Sequence, residues 1–97
     1  MNIEIRGKNL NITDNIRAKI EDKLYSVSDK FPKQLIEEPN VHVDISQYEE
    51  VDGSHVRITL NTKKGVFHSE AKEDDLFLAI DNAIVMIEKQ IRHKIKK

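Results

Sequence analysis

Lys19, Lys23 and Lys30 recur four and seven residues apart, and Lys89, Arg92 and Lys96 recur three and four apart, with His93 and Lys94 among them. At about 100° per residue the first three share one flank of a helix, and the second three share an outer stripe with Lys94 nearer the buried side. Cations ranked in this way neutralise successive phosphates of a nucleic acid, release counter-ions and give an affinity that falls with salt. They also have a plainer use: lysines beside an apolar stripe snorkel into water, and cations in a last helical turn complement the helix dipole. The cue for base stacking is missing. Tyr25 falls on the outer face of a helix and Tyr48 in an acidic loop, so neither tyrosine sits in a basic strand.

Other chemistries are poorly served. His42, His55 and His68 fall on neighbouring strands, but no His pair at i, i+4 on a helix completes a metal site, so they are expected to be surface residues without a metal. Asp74 and Asp75 resemble an acid/base pair but stand where a helix needs capping. There is no nucleophile elbow, phosphate loop or metal-binding helix, and Gly7, Gly53 and Gly65 are dispersed. The expectation is a protein that is not an enzyme and has no cofactor. Leu78 and Val85, seven apart on the outer side of the last helix, support a rival reading, a protein-interaction or homodimerisation module rather than a nucleic-acid binder.

The elements that carry these residues follow from hydrophobic periodicity. Asn2 to Lys8 alternates, with Ile3 and Ile5 on one side, as in a half-buried strand whose end Gly7 loosens. Thr13 caps a helix with the stripe Ile16, Ile20, Leu24, Val27 and Phe31, which Pro32 stops at Phe31. After Pro39-Asn40, Val41, Val43 and Ile45 alternate with polar residues. Beyond the acidic loop from Tyr48 to Gly53, Val56, Ile58 and Leu60 do the same, which predicts an antiparallel hairpin. Lys63-Lys64-Gly65 turns into a fourth strand around Val66 to Ala71. Asp74 or Asp75 then caps a last helix with the stripe Leu76, Ile80, Ala83 or Ile84, Ile87, Ile91 and Ile95. The expected fold class is α+β, in the order β-α-β-β-β-α. Its four-stranded sheet has two helices packed on one face, as in double-stranded-RNA-binding domains, and the other sheet face is left to water.

With 97 residues and no cysteine, a single domain over residues 1–97 must be held by packing alone, without disulfides or thiolate zinc sites. No leader pattern opens the chain and no apolar run approaches membrane-spanning length, so a soluble, cytoplasmic protein is expected. The formal net charge is −1. Its distribution matters more: six acids and no Lys or Arg lie between Glu37 and Asp52, whereas five Lys and Arg and no acid lie between Lys89 and Lys97.

The opening Ile5-Arg-Gly-Lys-Asn-Leu-Asn-Ile-Thr-Asp-Asn-Ile-Arg17, the stretch Lys64-Gly-Val-Phe-His-Ser-Glu-Ala71, and Asp75-Leu-Phe-Leu-Ala-Ile-Asp81 followed by Ile87-Glu-Lys-Gln-Ile-Arg92 go together in one known pattern. With the element order, they resemble the bacterial family of ribosome hibernation promoting factor and ribosome-associated inhibitor (protein Y), most of all its short form without a C-terminal dimerisation domain. The resemblance implies a factor on the small ribosomal subunit near the decoding centre, occupying the mRNA path and the A and P sites of tRNA and silencing idle ribosomes. It also implies 16S rRNA and 70S ribosomes as partners, with short forms acting beside a ribosome modulation factor to favour paired, inactive 70S particles; the isolated protein is expected to be monomeric. Lys8, Arg17, Lys23 and Lys89 match basic positions of the family. With Lys19, Lys30, Arg92, Lys94 and Lys96 they form the expected rRNA-binding set. Ser26, Met86 and His93 stand where the family often has basic residues.

Overall fold

The computed structural model describes residues 1–35, 37–48 and 53–95, without the side chains of Tyr48 and Ile95. Glu49, Glu50 and Asp52 of the acidic loop, the core position expected for Ile95 and the expected phosphate contact Lys96 therefore lie outside the described residues. The elements are β1 (Asn2–Lys8), α1 (Asp14–Lys30), β2 (Asn40–Tyr48), β3 (Gly53–Thr62), β4 (Gly65–Glu73) and α2 (Leu76–Ile95). This is the expected β-α-β-β-β-α order, with β4 running two residues further at its end than its periodicity marked.

The sheet order is β1-β2-β3-β4. β2, β3 and β4 form an antiparallel meander, while β1 pairs parallel to β2, Ile3 opposite Val41 and Ile5 opposite Val43. A parallel neighbour needs a crossover, and α1 supplies it. Val41, Val43, Ile45, Val56, Ile58, Leu60, Phe67 and Ala71 point to one face and join a single core with Ile16, Ile20, Leu24 and Val27 of α1 and Ile80, Ala83, Ile84, Ile87 and Ile91 of α2. Ala79 and Leu35, absent from the expected stripes, are also buried. Both Ala83 and Ile84 are buried, because α2 faces the sheet on one side and α1 on the other.

Local chemistry sets the helix ends. Thr13 accepts from the Ile16 amide at 3.2 Å, and α1 ends at Lys30 with the Phe31 amide donating to the Val27 carbonyl. Of the two candidate caps for α2 it is Asp75 that serves: its carboxylate accepts from the Phe77 amide at 3.2 Å and its carbonyl from the Ala79 amide. α2 is fastened to β4 by Ser69, whose buried hydroxyl donates to the Ala83 carbonyl at 2.8 Å. Gly7 does not loosen β1, which continues through it. A Cβ there would stand 2.6 Å from the Leu10 carbonyl oxygen and 3.0 Å from Ile12 Cδ1, so glycine admits the chain that folds back after Asn9, a residue at φ 64°. No helix among the described residues is long and apolar enough to cross a membrane.

Candidate nucleic-acid interface

The capping of α1 by Thr13 fixes the azimuth of every later side chain, and with Ile16, Ile20, Leu24 and Val27 on the core, Lys19, Lys23 and Lys30 fall on the flank towards α2. Across the seam stand two carboxylates of α2, Asp81 and Glu88, seven residues apart and so on one stripe of that helix. Lys19 Nζ and Lys23 Nζ lie 3.4 and 3.6 Å from Asp81 Oδ1. That oxygen is closed off from water and has no hydrogen bond among the described residues, so its compensation is the charge of the two ammoniums. Glu88, only 8% exposed, accepts from Lys30 Nζ at 3.1 and 3.3 Å and from Arg92 Nη2 at 3.3 Å. The Arg92 guanidinium also lies 5.6 Å from the centre of the Phe31 ring, at the end of α1. Four cations meet two carboxylates along the seam, and the positive excess remains.

The remaining candidates are dispersed. Lys89 is exposed on the outer stripe of α2 and forms no ion pair among the described residues. Lys94 reaches back to β4, where its ammonium donates to the Lys64 carbonyl and lies 5.4 Å from the centre of the Phe67 ring, over the place where Gly65 has no side chain. Lys8 closes β1 at the far side of the sheet, and Arg17 sits about 120–160° round α1 from the three lysines. Both are exposed. The expected rRNA-binding set thus divides into a cluster at the seam (Lys19, Lys23, Lys30, Arg92), Lys89 and Lys94 lining a cleft with Phe67, Gln90 and His93, and Lys8 and Arg17 elsewhere. Ser26, Met86 and His93 are all exposed. Asp81 and Glu88 were missed by sequence reasoning, although their spacing of seven beside a basic stripe was the available signal. Gln90 was missed too: its side-chain amide takes the His68 amide at 3.0 Å and donates to the His68 carbonyl, closing part of the free edge of β4.

The open sheet face has a different character. Cross-strand register sets Arg6, Asp44, Arg57 and Glu70 in one row of alternating sign. Arg57 Nε donates to Glu70 at 2.8 Å, and that hydrogen bond, with the guanidinium charge, holds the Glu70 carboxyl below the usual carboxylate range. The histidines are used singly. His42 lies 3.3 Å from Glu4, His55 3.6 Å from Glu70, and His68 Nδ1 3.4 Å from the Thr59 hydroxyl. Among the described residues no three His, Cys, Asp or Glu side chains are grouped to hold a metal ion. The next row, Lys8, Ser46, His55 and Lys72, holds two cations and no acid, so this face keeps an excess of one positive charge, four cations to three carboxylates; the seam, with four to two, is the better candidate for a polyanion.

The chain is similar to known proteins in sequence and fold. Residues 3–97 match the family described as Sigma 54 modulation protein / S30EA ribosomal protein. The chain belongs to this family. The Staphylococcus aureus (strain COL) protein named ribosome hibernation promotion factor is 33% identical over 91 residues, covering 92% of this chain and 45% of that protein. The chain thus spans somewhat under half the length of this curated relative. Among solved structures, the N-terminal domain of Protein Y from Thermus thermophilus superposes with a TM-score of 0.82 at 30% identity, covering 96% of this chain and 98% of that one. A ribosomal subunit interface protein from Coxiella burnetii matches the fold at a TM-score of 0.84 and 19% identity, over 100% of both chains. The β-α-β-β-β-α order expected from the sequence is therefore that of this S30EA-type family.

Proposed function

We propose that this protein is a ribosome hibernation factor that binds 16S rRNA of the small subunit, and 70S ribosomes, through its paired helices. It sits near the decoding centre, occupies the mRNA path and the A and P sites of tRNA, and silences idle ribosomes without catalysis. The observation that carries the proposal is the positive excess along the α1–α2 seam on a chain of this family. The name of the Staphylococcus aureus relative supports it as well. Extents of 42 × 24 × 17 Å describe an elongated body. Held by phosphate contacts, such a body excludes mRNA and tRNA by occupancy and needs no base-specific readout. Pairing of 70S particles, with a ribosome modulation factor acting in parallel, is the further step that the family resemblance implies.

The test is co-sedimentation of the purified protein with 30S subunits and 70S ribosomes over a salt series, with an arm in which mRNA and tRNA compete. Salt-sensitive binding that tRNA displaces is the expected result, and absence of binding at low salt overturns the proposal. One observation favours a second reading, a protein contact. Leu78 and Val85 are exposed together on the outer side of α2, at 46 and 48%.

A further inference from the structure

Asp81 and Glu88 are carboxylates in the middle of a surface proposed to meet a polyanion, where simple electrostatics would place none. Each stands against two cations, and in both cases the cations come from α1 or from the basic end of α2. Lys19 and Lys23 both pair with the single oxygen Asp81 Oδ1, at 3.4 and 3.6 Å, by charge and not by a hydrogen bond. Lys30 and Arg92 converge on Glu88 Oε2 at 3.1 and 3.3 Å. Neither carboxylate uses up its partners, because an ammonium has three donors and a guanidinium five. The Lys19 and Lys23 side chains remain 31 and 38% exposed, and those of Lys30 and Arg92 51 and 54% exposed.

Resting on the ribosome-binding reading above, we infer that Asp81 and Glu88 are positioning residues that pin two pairs of cations as ready-made seats for RNA phosphates. Seven residues of helix separate the two seats by about 10 Å along α2. A free lysine loses rotamer freedom when it grips a phosphate, whereas a lysine already tethered to a carboxylate has lost much of it on folding. The opposing effect is repulsion between carboxylate and phosphate. It is offset locally, since each seat holds two cations to one acid, and it is screened by salt within about 10 Å at 0.1 M. Tethering and repulsion predict opposite signs for removal of the carboxylate charge, so the sign decides between them.

The experiment compares wild type, Asp81→Asn and Asp81→Glu for binding to 30S subunits over a salt series, alone and on a Lys19→Ala/Lys23→Ala background, with the folded state checked by circular dichroism. Positioning predicts that Asp81→Asn binds about three- to tenfold more weakly at moderate salt, although it makes the protein more positive. The slope of log K against log salt should fall by up to about 1.4–1.8, the share of two phosphate contacts. Asp81→Glu should restore most of the binding, and Asp81→Asn should have no further effect where both lysines are already alanine. Glu88→Gln, set against Lys30→Ala/Arg92→Ala, repeats the test at the second seat, so failure of one variant to fold leaves the other decisive. If wild type binds and the folded Asn or Gln variant binds equally or more tightly, the positioning role is overturned while the ribosome reading stands. If wild type does not bind, both fall together.

Discussion

Lys89 is the cleanest place to perturb the proposed interface, because it lies exposed on α2 three residues before Arg92 and no ion pair among the described residues depends on it. Lys23→Glu, by contrast, would set a second carboxylate against Asp81, where the ammonium now stands 3.6 Å away, and would disturb the fold as well as binding. Lys89→Glu should leave stability within about ±0.5 kcal/mol. At a separation of about 5 Å in water, one ammonium–phosphate attraction is about 0.8 kcal/mol, and reversal turns it into a repulsion of the same size. The difference, about 1.7 kcal/mol, is roughly 15-fold in affinity at low salt. Loss of one phosphate contact lowers the slope of log K against log salt by about 0.7–0.9, so between 50 and 200 mM salt the variant loses roughly threefold less affinity than wild type does. Sedimentation with 30S subunits at four or five salt concentrations measures both quantities. Lys72→Glu is the control, since Lys72 is exposed on the strand β4, opposite His55 on the sheet face away from the helices. Equal effects of the two reversals, or a Lys89→Glu variant within twofold of wild type with unchanged slope, would refute a helix-borne phosphate interface.

Ile87 is fully buried between α2 and the sheet, and Ile87→Ala should cost about 2–5 kcal/mol. At about 4–8 °C per kcal/mol for a domain of this size the melting temperature should drop by at least about 8 °C, and a drop under about 3 °C in a calorimetric scan would contradict the assigned core. The Glu70 carboxyl, depressed by Arg57, contributes stability that is present above the ordinary carboxylate range and is lost as pH falls through its lowered folded value. An NMR titration should therefore find its midpoint below the usual value in wild type and raised in Arg57→Ala; identical midpoints would remove the assigned cause. If the exposed Leu78 and Val85 mediate self-association, light scattering should show a wild-type dimer that Leu78→Glu/Val85→Glu dissolves, whereas a wild type that stays monomeric at high concentration removes the homodimer form of the second reading.

The order of elements, the apolar face of each and the placing of the cations on two helices were all determined by the sequence, because each depends on a period within one element. The Thr13 cap and the spacing of Ile16, Ile20, Leu24 and Val27 suffice to set the azimuth of Lys19, Lys23 and Lys30. What lies opposite those lysines is not local. It depends on where α2 sits along and around α1, which the burial of Ile80, Ala83, Ile84 and Ile87 against a sheet assembled from four distant segments decides. Only the tertiary structure could therefore turn an apparent basic ridge into cations paired with Asp81 and Glu88 and send Lys94 towards β4. Gly7 follows the same division. Its residue type announced backbone freedom, but the need for it came from the Leu10 carbonyl and Ile12, which the chain brings over the strand only after it has turned at Asn9. Periodicity fixes which way a side chain points from its own helix or strand, and packing between elements fixes what it meets there.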